Sequence, residues 1–262
     1  MKRVSVLLIV VAMTLGLTAC DRGVNPADKT ELIVFAAASM TETLTEIEAK
    51  YEAAHQDIDL VFTFDSSGTL KTQIAEGAPC DVFISAAPKQ MNQLEELNLV
   101  LLDSRADLLE NKVALCVAEG NPADIHSYDE LAAALQAGTV LLAVGNSDVP
   151  VGQYTRKIFE HYGIDEAAVA SCLTYGSNVK EVTTAVTEAA ADCGIIYATD
   201  AFSAGLTPVD TATADMCGQV IYPAAVLNTS VHQEEARAFL DYLTREEAAT
   251  IFEAVGFTTL GK

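Results

Sequence analysis

Short apolar runs alternate with amphipathic segments along most of this chain, and this alternation is what most restricts its fold. The run at residues 32–36 is continuous and apolar, which is typical of a strand buried on both faces of a sheet. The segment 40–54 that follows places Leu44, Ile47 and Tyr51 at helical spacing. Repetition of this order predicts an α/β protein.

The same two patterns continue through the rest of the sequence. Further strands are predicted at 58–64, 81–85, 112–118, 139–144, 171–175, 194–198 and 219–227. Further helices are predicted at 69–76, 89–97, 128–136, 152–162, 179–191, 234–243 and 246–255. Because this many strands would make an unusually large single sheet, we expect two lobes. Each lobe is then a mixed, mostly parallel sheet flanked by helices.

The beginning of the sequence has the features of an export signal. A short basic start precedes an apolar run at 4–19, which is shorter than the roughly 20 residues of a membrane-spanning helix. The run ends in LTAC at 17–20, which resembles the lipobox of bacterial lipoproteins. We therefore expect a signal peptide over 1–19, a lipid on Cys20 and a tether over 20–30. The protein would be exported and anchored at the outer face of the cell membrane, or lie in the periplasm; an ordinary signal peptide is the alternative to the lipoprotein signal.

Besides Cys20, five cysteines follow the predicted signal, namely Cys80, Cys116, Cys172, Cys193 and Cys217. Their spacing does not match that of a metal site, and no neighbouring histidine marks any of them as a nucleophile. We expect them chiefly to be small buried apolar side chains. The sequence leaves open one disulfide among Cys172, Cys193 and Cys217.

The chain is strongly acidic, with 15 Lys and Arg against 37 Asp and Glu and a formal net charge of -22. Nucleic acids are bound by arrays of Lys and Arg, so this balance excludes a nucleic-acid partner. The same repulsion argues against a peripheral role on anionic lipid. It also argues against a small anionic ligand, unless the binding site is built locally from uncharged donors.

Four predicted helices begin directly after strands, in turns rich in small and polar residues. These turns lie at 37–42, 65–70, 148–154 and 176–181. Ser39 with Glu42 has the spacing of a capping box, and Asn178 with Glu181 forms a similar pattern. Pro150 suits the first turn of a helix.

Helix starts of this kind are suited to binding an anion. The first amides of a helix have no partner within it and carry a partial positive charge of about 0.5 e. Several such starts that converge form an anion site without any Lys or Arg, and hydroxyl groups add neutral donors. A site made only of donors fits a fully ionised oxyanion, because a protonated one also requires an acceptor.

Eight motifs in this order resemble the molybdate-binding component of bacterial molybdate ABC importers. They are VFAAAS at 34–39, SSGTL at 66–70, GAPCDVFIS at 77–85, AVG at 143–145, VPVGQY at 149–154, GIIYATDA at 194–201, YPAAV at 222–226 and GF at 256–257. The resemblance covers roughly residues 30–260. It implies a two-lobed periplasmic-binding-protein fold of type II, with lobe one over 31–110 plus 224–262 and lobe two over 111–223.

The resemblance also implies the ligand, the site and the partners. Molybdate or tungstate would be held between the lobes by hydrogen bonds alone, with no protein–metal bond and no cofactor. The donors would be Ser39, Ser67, Val151, Val179 and Tyr197, through hydroxyl groups or backbone amides. The expected protein is a monomer that delivers its ligand to a membrane permease and is not an enzyme.

Two residues depart from the family pattern. Asp65 stands where a small residue is usual, and Gly68 stands where serine is frequent. We expect Asp65 to point away from the ligand and to cap the helix at Thr69. An altered anion preference is the alternative.

Two other functions remain open at this stage. One is the binding of another tetrahedral oxyanion such as sulfate, because cavity size does not follow from sequence. The other is an exported serine hydrolase with Ser39 or Ser67 as nucleophile. The sequence argues against the hydrolase, because it contains no G-x-S-x-G motif and none of its four histidines lies in a recognisable triad setting.

Overall fold

The structure is a computed structural model that describes residues 29–260. It contains two β-sheets, each flanked by helices, which confirms the predicted α/β class. We call the six-stranded sheet with its helices lobe one, and the five-stranded sheet with its helices lobe two. The predicted signal peptide, Cys20 and nearly all of the predicted tether lie outside the described residues.

The sheet of lobe one combines strands from both ends of the described chain. Its strands are β1 Thr30–Ala37, β2 Ile58–Asp65, β3 Val82–Ile84, β4 Ala106–Asn111, β10 Val220–Val226 and β11 Thr258–Thr259. Their order across the sheet is β11-β4-β10-β3-β1-β2. β1 is parallel to β2 and β3, whereas β10 is antiparallel to β3 and β4.

The sheet of lobe two is built from the middle of the chain. Its strands are β5 Val113–Val117, β6 Leu142–Gly145, β7 Leu173–Gly176, β8 Cys193–Tyr197 and β9 Asp210–Thr211. Their order is β7-β6-β8-β5-β9, with β6 parallel to β7 and β8 and with β5 antiparallel to β8 and β9. Both sheets are therefore mixed.

Helices cover both sheets. Lobe one carries α1 Thr41–Ala54, α2 Ser67–Ala75, α3 Pro88–Glu96, α9 Gln233–Leu243 and α10 Glu246–Ala254. Lobe two carries α4 Tyr128–Ala137, α5 Pro150–His161, α6 Val179–Thr187, α7 Ala198–Ser203 and α8 Ala214–Cys217. α2, α5 and α6 each begin within a few residues of the end of a strand, so their amino ends lie at the carboxyl edges of the sheets.

The burial of β1 explains why its sequence is continuously apolar. Val34 and Ala36 point into the main hydrophobic cluster, whereas Phe35 packs with Leu70 and Phe83 in a second cluster. Successive residues of a strand face opposite sides of the sheet, so these two clusters lie on its two faces. This agrees with the strand buried on both faces that the sequence predicts.

Two chain crossings connect the lobes. The chain leaves lobe one at the end of β4 and enters β5 through Lys112, and it returns after α8 into β10. The two crossings lie side by side, because Asn111 and Val220 are partners in the β4–β10 ladder. In both sheets, each antiparallel pair includes β4, β5 or β10, which are the strands at the ends of these crossings.

Some elements differ from the sequence-based prediction. β4, β9 and β11 and the short helices α7 and α8 were not predicted, since their apolar patterns are brief. α6 ends at Thr187, although residues up to 191 favour a helix. Ala189 adopts a φ of 52°, which ends the helix and turns the chain toward β8. The requirement to enter the sheet outweighs the local helix propensity of alanine.

The cysteines are free thiols. All five that the structure describes are buried and unpaired, so the disulfide that the sequence left open among Cys172, Cys193 and Cys217 does not form. Burial raises the pKa of Cys116 and of Cys193 to about 12. These side chains pack as small apolar groups, as expected.

Candidate ligand-binding site

A small cavity lies between the two lobes, at the carboxyl edges of both sheets. Its volume is about 10 Å³. Its lining from lobe one is Ala37, Ala38, Ser39, Asp65, Ser66, Ser67 and Ala86, and its lining from lobe two is Val149, Pro150, Val179 and Tyr197. None of these described lining residues is Lys, Arg or His. We call this space the inter-lobe cavity.

The cavity brings together most of the residues that the sequence singled out. Ser39, Ser67, Val179 and Tyr197 line it, and all four are buried. Val151 is not part of the lining, but it follows the lining residue Pro150 as the second residue of α5. All four predicted turns contribute to this one cavity.

The helices around the cavity leave their first amides available for a ligand. The Asn178 side chain caps α6 by accepting from the Glu181 amide at 3.1 Å, as predicted. Ser66 caps α2 by accepting from the Thr69 amide at 3.1 Å. Each cap satisfies the third amide of its helix, so the two before it are not used by the cap. α5 begins with Pro150 and has no side-chain cap.

Ser39 does not form the predicted capping box. It lies in a short 3-10 turn, Ala38–Met40, that precedes α1, and its side chain makes no cap hydrogen bond. Its Oγ instead lies 2.9 Å from the Tyr222 hydroxyl, a hydrogen bond within lobe one that spans 183 positions of sequence. Although Ser39 and Glu42 have the spacing of a capping box, Ser39 bonds to Tyr222 instead, and Glu42 pairs with Lys180.

The Ser67 hydroxyl is held as a donor toward the cavity. Its Oγ accepts a hydrogen bond from the Ala86 amide at 2.9 Å. A backbone N–H only donates, so the proton of Ser67 remains available for another acceptor. Ser67 is fully buried and lines the cavity, so its proton is available to an acceptor placed in the cavity.

Tyr197 presents an unpaired phenol to the same space. Its hydroxyl is buried and has no hydrogen-bond partner in the described part of the chain. Burial, followed by the nearby Tyr222 and Tyr154, raises the pKa of this phenol well above its ordinary value. The phenol therefore stays protonated and is available as a neutral donor. A buried hydroxyl without a partner costs free energy, which a ligand oxygen would recover.

Asp65 takes a different position from the one expected. It lines the cavity, and its Oδ1 accepts from the Ser66 amide at 2.7 Å. The predicted cap at Thr69 is wrong, because Ser66 occupies the cap position and α2 begins two residues earlier, at Ser67. Asp65 is the last residue of β2, and it places a carboxylate beside the ligand space.

Gly68 allows the two lobes to approach closely. A Cβ at this position would overlap the backbone carbonyl oxygen of Asp148 and would lie 2.9 Å from its carbonyl carbon. Gly68 belongs to α2 of lobe one, whereas Asp148 lies in the loop before α5 of lobe two. The glycine is therefore a contact point of the closed lobes, which sequence alone does not show.

An ion-pair cluster connects the lobes beside the cavity. Lys180 Nζ lies 2.8 and 2.7 Å from the two carboxylate oxygens of Glu42 in lobe one. It also lies 3.3 Å from Asp200 Oδ1, whose side chain is fully buried in lobe two. Burial raises the pKa of Asp200 to about 6, and the Lys180 charge opposes this shift. The one cation is thus balanced by two carboxylates and adds no net positive charge.

Two negative findings apply to the described residues. Across residues 29–260, no cluster of three or more His, Cys, Asp or Glu side chains is arranged to hold a metal ion. Within the same range, no helix has both the length and the apolar character needed to span a membrane.

Two lobes joined by paired crossings, with a buried polar cavity between them, define a solute-binding protein. The sequence comparisons agree with this class. The chain belongs to the bacterial extracellular solute-binding protein family, whose model matches residues 32–258. Its relatives are binding proteins, so the chain is a solute-binding protein and not an enzyme.

Individual relatives place the chain among ABC transporter components. It is 30% identical over 261 residues to a candidate substrate-binding lipoprotein of an ABC transporter from Bacillus subtilis, covering 98% of each chain. It is 32% identical over 241 residues to the molybdate-binding protein ModA of Haemophilus influenzae, covering 90% of this chain and 93% of the relative.

A solved structure supports the fold. The periplasmic molybdate-binding protein of Azotobacter vinelandii superposes with a TM-score of 0.76 at 22% identity, covering 88% of this chain and all of that one. The two-lobed fold and the resemblance predicted from the motifs are confirmed. The chain is a solute-binding component of an ABC transporter, from the family that contains the molybdate-binding proteins.

Proposed function

We propose that this protein captures molybdate or tungstate in the inter-lobe cavity and delivers it to the permease of an ABC importer. The observation that carries the proposal is the convergence of uncharged donors on a cavity whose lining has no cationic side chain. The donors proposed are the hydroxyl groups of Ser39, Ser67 and Tyr197 and the backbone amides of Val151 and Val179. They suit a tetrahedral dianion that carries no proton and that accepts at every oxygen.

The proposal includes the setting in which the protein works. Lipidation of Cys20 would hold a monomer at the outer face of the membrane, close to its permease. Support comes from the lipobox at 17–20 and from the Bacillus subtilis relative, which is named as a lipoprotein. Binding is proposed to draw the lobes together about the two chain crossings.

Replacement of single donors tests the site. We expect Ser39→Ala and Tyr197→Phe each to weaken molybdate binding by about 1–3 kcal/mol, because each leaves a charged ligand oxygen without a hydrogen bond. The measurement is isothermal titration calorimetry with molybdate, tungstate, sulfate and phosphate. Tyr128→Phe removes another buried phenol that has no partner in the described chain, and it should leave the affinity unchanged.

Two outcomes would contradict the proposal. Absence of binding heat with both molybdate and tungstate would reject the ligand. Unchanged affinity in both donor variants would reject the site. Binding of sulfate in preference to molybdate would indicate that the same site binds a smaller tetrahedral oxyanion.

Asp65 supports a second candidate, an oxyanion that retains a proton, such as hydrogen phosphate. A carboxylate that lines the cavity could accept that proton, whereas it would repel a fully ionised ligand. The two candidates predict opposite effects of Asp65→Asn. If molybdate is the ligand, the variant should bind it about 3- to 10-fold more tightly, since a like charge has been removed. If the ligand is protonated, the variant should lose affinity for phosphate.

A further inference from the structure

Behind Ser39 lies a chain of buried hydrogen bonds that ends at an asparagine in the chain crossing. The Asn111 Nδ2 group donates to the Tyr222 hydroxyl at 3.1 Å, and that hydroxyl lies 2.9 Å from Ser39 Oγ. Tyr222 is fully buried and Asn111 is nearly so. Neither residue lines the cavity, so their effect on a ligand passes through Ser39.

The direction of these hydrogen bonds is fixed at Asn111. Its Oδ1 accepts from the Lys112 amide at 2.8 Å, and a backbone N–H has no other role than donor. The Nδ2 group therefore occupies the other side of the side chain. Its two protons go to the Thr199 hydroxyl at 2.9 Å and to the Tyr222 hydroxyl.

The bond between Tyr222 and Ser39 can carry this direction to the cavity. Tyr222 accepts from Asn111, so its own proton is free for another acceptor, and Ser39 Oγ lies 2.9 Å away. With Tyr222 as the donor of this pair, Ser39 Oγ accepts and its own proton is left for the cavity that it lines. This arrangement would match that of Ser67, whose oxygen accepts from the Ala86 amide.

We propose that Asn111 and Tyr222 are positioning residues that fix Ser39 as a donor and so select an oxyanion without a proton. This inference rests on the proposed function, since it names how the same cavity discriminates among oxyanions. A ligand O–H group that faces Ser39, Ser67 or Tyr197 meets a donor and loses one hydrogen bond there, so a protonated ligand would have to direct its proton at Asp65. Cooperative polarisation along the chain strengthens the donation from Ser39.

Two variants test this by changing the direction of the bonds and not the shape of the site. Tyr222→Phe removes the donor to Ser39, so its oxygen becomes free to accept. Asn111→Asp keeps the acceptor for Lys112 but replaces the donor with an acceptor, which reverses the chain toward Ser39. Tyr128→Phe is the matched control, because it removes a buried phenol of lobe two that lies outside the chain.

The measurement is the ratio of molybdate affinity to arsenate affinity at pH 7, obtained by direct and competition calorimetry. Arsenate is tetrahedral and carries a proton at this pH, whereas molybdate does not. We expect the ratio to fall by about fivefold in Tyr222→Phe and by about 100-fold in Asn111→Asp, the scale of one neutral and one charge-bearing hydrogen bond. Tyr128→Phe should keep the ratio of the unmodified protein.

The results separate the positioning role of Asn111 and Tyr222 from the proposed function. An unchanged ratio in Tyr222→Phe overturns the role of the chain, even if both affinities fall together, because an equal loss indicates only structural damage. If Tyr222→Phe does not fold, the ratio in Asn111→Asp decides in the same way. If the unmodified protein binds no molybdate, the proposed function fails and this inference fails with it.

Discussion

Replacing Gly68 with alanine is expected to weaken molybdate binding by about 10- to 100-fold. The added Cβ would overlap the Asp148 carbonyl oxygen of the opposite lobe, so the lobes could not reach the arrangement seen in this structure. Forcing an extra carbon into a packed contact typically costs about 1–3 kcal/mol. The cost falls only on the closed form, because in an open form nothing from lobe two lies against Gly68.

The stability of the ligand-free protein separates this effect from damage to the fold. Alanine is a better helix former than glycine by up to about 1 kcal/mol, so the ligand-free variant should unfold at the same temperature or a higher one. Ala75→Val, at an exposed position near the other end of α2, is the matched control and should keep full affinity. Titration calorimetry and thermal unfolding give both quantities. Full affinity in Gly68→Ala would show that the lobes do not close through this contact.

Replacing Lys180 with methionine is expected to lower the free energy of unfolding by about 3 kcal/mol at pH 7.5. The substitution removes the cation that lies 3.3 Å from Asp200, whose side chain is fully buried. Breaking a buried ion pair by removal of one partner typically costs about 3–5 kcal/mol, because the remaining charge is uncompensated. Glu42→Gln removes only the partly exposed partner in the other lobe, so it should change this free energy by less than about 1 kcal/mol.

The pH dependence gives this prediction a second readout. Burial already raises the pKa of Asp200 to about 6, above the value of 3.8 for an ordinary Asp side chain, and loss of Lys180 raises it further. An acid with a raised pKa in the folded state binds its proton more tightly there than in the unfolded chain. The ionised Asp200 therefore destabilises the fold most at a pH above its pKa in the folded state. This effect diminishes as the pH falls toward the pKa of the same group in the unfolded chain.

Chemical denaturation at pH 7.5 and pH 5 measures this difference. The deficit of Lys180→Met should be much smaller at pH 5, where the isolated carboxyl is protonated. The double variant Lys180→Met with Asp200→Asn should recover most of the loss at pH 7.5, since no buried charge remains. A deficit of equal size at both pH values would show that Lys180 acts through packing and not through charge.

The parts of the site that depend on local sequence were predictable. Asn178 as a cap and Pro150 in the first turn of α5 follow from spacing within one turn of helix, and both are present. The continuous apolar runs identified β1 and β8 because those strands are buried on both faces of a sheet. Four polar turns after four strands were enough to indicate one shared anion site.

The remaining features depend on contacts between distant parts of the chain. Ser39 fits a capping box by spacing, but its partner is Tyr222, which sequence places in an apolar strand. Asp200 lies within the motif at 194–201, and nothing nearby in sequence indicates its ion pair with Lys180. From the sequence, Gly68 is only a position that lacks the serine hydroxyl frequent in the family, whereas the structure shows that it contacts the opposite lobe. These roles follow from contacts between residues that are far apart in the sequence, within one lobe for Ser39 and Asp200 and between the lobes for Gly68.

The position of β10 has a consequence for the order in which the chain can fold. β10 lies between β3 and β4 in the middle of the lobe-one sheet, although more than one hundred positions separate it from either strand. A chain that has emerged only as far as α8 can complete the sheet of lobe two, but it leaves one edge of β3 and both edges of β4 unpaired. Lobe one therefore remains unfinished until β10 has emerged, late in synthesis, whereas lobe two can fold before it.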